Sequence, residues 1–318
     1  MTNLAAFGIA VICAGLMGFA IQSGATCTVY AVSELIERRR ASRLIAMLEA
    51  GLWVAATLLV AGMLRMSPVA VSAYGLSGYT IFGGLMLGLG AYVNGACVFG
   101  SVARLGSGEA GFLVTPLGFF LGIKLFEGAV AYQPMRVPQA PIGAAQLPFL
   151  LLAAFSLYAL ARLFRIAWTA LRRARPQNAV APWDPHEATL VIGLTFAVML
   201  LAVGRWTYPE LLSDLAMGEL NGTVWRSVLF VALLCGARLG GLVHGKIGWV
   251  SPTTRRIATC LVGGAMMGIG SASVPGGNDG LVLIGLPFLM PYALVALATM
   301  VGAIGLTIWG QRRFARPA

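Results

Sequence analysis

The 318-residue chain is 58% hydrophobic and only 10% charged, with a net charge of +11, and its mean hydropathy is +0.85. A soluble domain carries roughly a quarter charged residues, so this composition excludes a water-soluble enzyme or binding module and reads as an integral membrane protein. The basic excess falls in four clusters between apolar runs, which argues against nucleic acid as a partner and for the lipid bilayer.

A helical crossing needs about 20 apolar residues. Runs of this kind lie at Leu4–Gln22, Leu44–Leu64, Gly78–Asn94, Ala110–Ala131, Leu147–Phe164, Ala188–Gly204, Thr223–Gly240, Ile257–Val274 and Pro291–Gly310. They predict about nine transmembrane helices. The runs are continuously apolar without period-two alternation, so helices are expected rather than a barrel. The first run lacks a basic leader and reads as a retained helix. The clusters Arg38–Arg43, Arg162–Arg175, Arg238–Arg256 and Arg312–Arg316 then share one side, which the positive-inside rule makes cytoplasmic. The N-terminus is expected outside and the C-terminus inside. Trp206–Gly222 carries three acids and no base, as an outside loop does.

Three stretches interrupt apolar runs with small residues: Gly18–Leu35 (GFAIQSGATCTVYAVSEL), Gly83–Gly108 (GGLMLGLGAYVNGACVFGSVARLGSG) and Gly263–Pro287 (GGAMMGIGSASVPGGNDGLVLIGLP). A shift of 180 positions superposes Gly83, Gly84, Met86, Gly88, Gly90 and Gly100 on identical residues of the third stretch. The charge-derived topology runs the two stretches in opposite directions. That predicts an inverted-topology repeat within one transmembrane domain spanning 1–318, with halves of about 1–171 and 188–318 joined by a cytoplasmic loop, 172–187. A weaker match aligns Gly18 with Gly88 and Cys27 with Cys97.

Small residues inside a hydrophobic helix are costly, so recurring breaks suggest short re-entrant or broken helices that build a site. Gly24, Ala25 and Thr26 precede Cys27; Asn94, Gly95 and Ala96 precede Cys97; Pro275, Gly276, Gly277, Asn278 and Asp279 form the third break. A helix that starts at each break turns free N–H groups toward it, which favours anions. Thiols beside those groups are weak, polarisable donors suited to a soft anion. Asp279 is either an acid facing the path or a cap at the outer interface. Cys13, Cys235 and Cys260 are expected to be buried as small hydrophobes. Gly83, Gly84, Gly263 and Gly264 are expected to serve helix packing. Lys124 and Glu127 lie one turn apart and are expected to pair. Arg104 either draws anions to the inner exit or anchors that face. His186 and His244 lie in polar connectors and are expected to be solvated. No catalytic triad, phosphate loop, cofactor fingerprint or zinc spacing is visible, so neither an enzyme nor a cofactor is expected.

QSGATC, NGACVFGSVARLGSGE and GGAMMGIGSASVPGGNDG resemble the YeeE/YedE family of sulfur-transport membrane proteins, and the similarity extends loosely over most of the chain. The resemblance implies an inverted-repeat helical fold in the bacterial inner (plasma) membrane. It implies import of thiosulfate or a related sulfur-containing anion, passed along by three central cysteines, and a cytoplasmic TusA-like sulfur carrier as partner. Cys27 and Cys97 match two of those cysteines. Asn278 stands where the third is expected. A persulfide-transferring membrane protein and a non-transporting subunit of a complex are the alternatives.

Overall fold

The computed structural model describes residues 4–66, 71–130, 132, 134–137, 157–158, 161–162, 164–165, 168, 182–219, 221–246, 248–274 and 276–314. The first half of the chain supplies α1 (Leu4–Ser23), α2 (Thr28–Arg38), α3 (Ser42–Met63), α4 (Gly78–Asn94), α5 (Val98–Gly106) and α6 (Val114–Ala129). The second supplies α7 (Pro185–Val203), α8 (Tyr208–Met217), α9 (Thr223–Val243), α10 (Thr254–Ser273), the single turn α11 (Gly277–Gly280) and α12 (Pro291–Phe314). A π-helical turn, Leu281–Gly285, continues α11. The sheet among the described residues is one antiparallel pair, β1 (Ala73–Tyr74) with β2 (Arg136–Val137).

Seven helical segments are long and apolar enough to cross a membrane, or eight if the bent pair of α10 and the α11 turn is one more span. The packing leaves Ile12, Leu16, Val60, Leu117, Leu125 and Leu306 facing outward. Outward apolar side chains on long apolar helices are lipid-facing, and the protein is a multi-pass membrane protein. The expected nine crossings are not reached, because Leu147–Phe164 lies largely outside the described residues, as does Ala131 at the end of the fourth run.

The spans are also less simple than apolar runs suggest. Leu4–Gln22 and Gly78–Asn94 continue, past a break, into α2 and α5. The expected outside loop Trp206–Gly222 is instead largely helix α8, with Trp206, Tyr208 and Leu211 buried. Thr207 caps that helix through a bond from the Glu210 N–H (3.4 Å), and Pro209 sits in its first turn, where its missing N–H costs nothing. Charge alone pointed to a loop, but the capping chemistry decides for a helix.

Small residues carry the helix crossings. A Cβ on Gly83 would meet the Gly270 carbonyl oxygen at 2.9 Å, and one on Gly270 would meet that of Gly83 at 2.7 Å. Gly90 and Gly263 face each other in the same reciprocal way. The α4–α10 crossing is therefore antiparallel, and the repeat shift exchanges its two contacts, as a two-fold axis between inverted repeats requires. The flanking contacts obey the same exchange. Gly84 and Gly88 of α4 abut Ala296 and Met300 of α12, while Gly264 and Gly268 of α10 abut Thr115 and Phe119 of α6. Likewise α1 packs on α9 and α7 on α3. A Cβ on Gly236 would collide with the backbone of Gly15 across the α1–α9 crossing. Gly236→Val should thus cost about 1–3 kcal/mol of packing and lower Tm in detergent, whereas Gly302→Ala, where a Cβ meets open space, should leave Tm unchanged.

Several expected side-chain roles change. His186 is not solvated: its Nδ1 lies 2.8 Å from Glu49, which Arg162 also holds at 2.7 Å. A carboxylate on an apolar span needs such partners, and this cluster ties α3 to α7. Lys124 and Glu127 form no ion pair among the described residues. Cys13 and Cys260 are buried as expected, but Cys235 is exposed on α9. Arg104 pairs with Glu109 at 2.7 Å, anchoring the turn after α5.

Candidate functional site

Each break is set by local chemistry. After α1 the chain takes a left-handed turn at Ala25 (φ 48°), and Cys27 becomes the extended N-cap of α2. After α4 the left-handed residue is Gly95 (φ 78°), and Cys97 caps α5. Asn94 locks this second break. Its amide donates to the Ala96 carbonyl (2.6 Å) and Ser101 Oγ (2.9 Å), and its Oδ1 accepts from Thr115 (2.9 Å). Asn94 is thereby fully engaged in holding the backbone. At the third break Gly276 and Gly277 both have positive φ; Pro275 lies outside the described residues. A Cβ on Gly277 would be strained whatever the space around it.

The breaks converge. The Thr28 N–H donates to Cys97 Sγ at 3.2 Å, and the Cys97 N–H points to Cys27 Sγ at 3.5 Å. Each thiol therefore sits against the N-terminus of the other's helix. Gly100 makes this approach possible, because a Cβ there would overlap Cys27. Asn278 joins from the third break, its amide 3.5 Å from Thr28 Oγ1. Cys97, Asn278 and Asp279 are at most 2% exposed, and Cys27 is half-buried.

A fourth break, Gly204–Thr207, was not anticipated. Gly204 has φ 85°, Thr207 caps α8, and the Tyr208 hydroxyl donates to the Val98 carbonyl at 3.1 Å. The repeat shift maps Cys27 onto Thr207 and Cys97 onto Gly277. The signal lay in the sequence: applying the shift to QSGATC would have found it.

Two cavities flank the thiols. One of about 790 Å³ opens near the β1–β2 end, touches Tyr74, Arg205, Glu210 and Ser271, and reaches Gly276 of the third break. Within it Arg205 pairs with Glu210 at 2.5 Å. Burial pushes the Glu210 carboxyl up, while Arg205 and Arg226 pull it down. The other cavity, of about 10 Å³, lies near the α2–α3 turn beside Cys27, Thr26 and Arg43. Arg43 bonds the Gly24 and Ala25 carbonyls at 2.9 and 3.4 Å and stacks on Tyr30. The large cavity ends at Gly276, and from Asn278 the contacts run through Thr28 and Cys97 to Cys27 and the small cavity. No metal-ligating cluster occurs among the described residues.

The family of sulphur transport proteins has a sequence profile that matches residues 23–306. The chain belongs to the sulphur transport family. Comparison with curated proteins gave no significant match. The profile match begins at Ser23, where the first break opens, and takes in all four breaks of this sulphur transport protein. The structure brings together Cys27, Cys97, Asn278 and Asp279 of the expected site. Gly24, Ala25, Gly95 and Ala96 shape backbone around it. Thr28, Thr207 and Tyr208 join it without a signal of their own in the sequence, and Gly100 joins it from the repeat pattern.

Proposed function

We propose that this sulphur transport protein imports thiosulfate or a closely related sulfur anion past Cys97 and Cys27, across a bacterial inner membrane, with its N-terminus outside. The observation that carries this reading is the reciprocal thiol-to-helix-start contact of Cys27 and Cys97. The starts of α2 and α5, helices of 11 and 9 residues, meet there, and α8 reaches them through the Tyr208 hydroxyl. Their N–H groups supply positive potential without a fixed cation that would trap an anion. The thiols supply a polarisable surface and weak S–H donors for a terminal sulfur. Weak successive contacts allow passage where one strong site would hold the ion. In this reading the protein performs no covalent chemistry, the large cavity is the outer vestibule, and a TusA-like carrier docks on the arginine-rich face.

The test is uptake of labelled thiosulfate by proteoliposomes, with other anions as competitors. Sulfite or selenosulfate should compete and sulfate should not. Equal competition by sulfate would remove the role of the thiols. A persulfide mass increment on Cys27 or Cys97 after turnover would replace transport by sulfur transfer.

A further inference from the structure

Asp279 is the least compensated ionisable group near the thiols. It is 2% exposed. Its Oδ1 has no hydrogen-bond partner, and neither has Oδ1 of the adjacent Asn278. The neighbouring Gly280 N–H donates to the Gly276 carbonyl at 2.9 Å. Cys97 at the start of α5 and Tyr208 and Glu210 on α8 act on it and are acids, and the nearby Arg205 is paired with Glu210 at 2.5 Å. The last turn of α10 offers uncharged Ser271 and Ser273, and the π-helical turn that follows is apolar. No lysine, arginine or histidine among the described residues forms an ion pair with it.

Two consecutive residues of one break each keep a buried acceptor oxygen without a donor, and what the site lacks there is a hydrogen. Ionising a buried carboxyl with no cation beside it is heavily penalised. An ionised Asp279 would also repel an anion arriving at Cys97. Resting on the sulfur-anion reading above, we propose that Asp279 is held protonated and serves as the third hydrogen-bond donor of the path, in the third break, which has no thiol. The proton stays on the carboxyl throughout; the O–H turns to the passing anion as the S–H of Cys97 does. Carboxyl and thiol then act as successive neutral donors, and a neutral path carries an anion without binding it as a salt.

The test has two arms. Infrared spectra of the reconstituted protein at neutral pH should contain a protonated-carboxyl C=O band that Asp279→Asn lacks. Uptake should survive in Asp279→Asn, a neutral donor of the same shape, to within about threefold, and fall at least about tenfold in Asp279→Ala. If Asp279→Asn fails to reach the membrane, Asp279→Ser supplies the neutral donor. Absence of the band overturns the proposal. So does an Asn variant as inactive as Ala, or an Ala variant as active as the native protein. If the native protein moves no sulfur anion at all, the transport reading fails, while the infrared arm still decides the state of Asp279.

Discussion

Cys97→Ala should lower thiosulfate uptake by at least about tenfold, equivalent to about 1.4 kcal/mol of lost stabilisation along the path. The thiol is fully buried and accepts from the Thr28 N–H. Alanine removes that acceptor, leaving a buried amide unpaired, and removes the polarisable donor that meets the anion. Cys97→Ser separates the two effects. A hydroxyl can accept from Thr28 and keep the break folded, but it is a harder and shorter group. The serine variant should therefore keep the native Tm and still lose much of its uptake. Full uptake by Cys97→Ala would place the route elsewhere.

The second large effect is expected at Gly100, which offers the anion no side chain of its own. Its missing side chain is the space Cys27 occupies: a Cβ would lie 2.9 Å from that of Cys27 and closer still to the sulfur. Gly100→Ala forces α2 and α5 apart where the two thiols meet. Overpacking of this kind costs about 1–3 kcal/mol, and most of the displacement falls on Cys27. Uptake should drop about tenfold in Gly100→Ala and vanish in Gly100→Val, with the protein still inserted. Measured uptake in inverted and right-side-out vesicles would show whether both directions suffer. Native rates in Gly100→Val would mean that the Cys27–Cys97 approach is not needed for transport.

Much of this was legible in the primary structure. Composition dictated a membrane protein, and the glycine register at Gly83 and Gly263 revealed the repeat, because small residues at helix crossings leave a regular trace. Cys27 and Cys97 stood out since each follows a helix break. The fourth break escaped because Trp206 and Thr207 are not small, and the acids after them imitate a surface loop. Their burial comes from tertiary packing of α8 against α6 and α9, which no local pattern encodes. His186 was misread for the same reason: its partner Glu49 is 137 positions away. Asp279 could be named from sequence, but its burial, at 2% exposure, comes from packing.

The exchanged packing of the repeats bears on how such a protein can move. Helices α4 and α10 each lean on a helix contributed by the opposite repeat, through glycines that admit no slack. Swinging one repeat as a block against the other would unzip both crossings at once. The frame is thus a clasp, with α12 and α6 as its crossed fingers. The pieces outside these crossings are the short helices α2, α5 and α8, which touch one another beside the thiols. Motion on that scale resembles a turnstile inside a fixed doorway, and a cross-link between α4 and α10 should leave it turning.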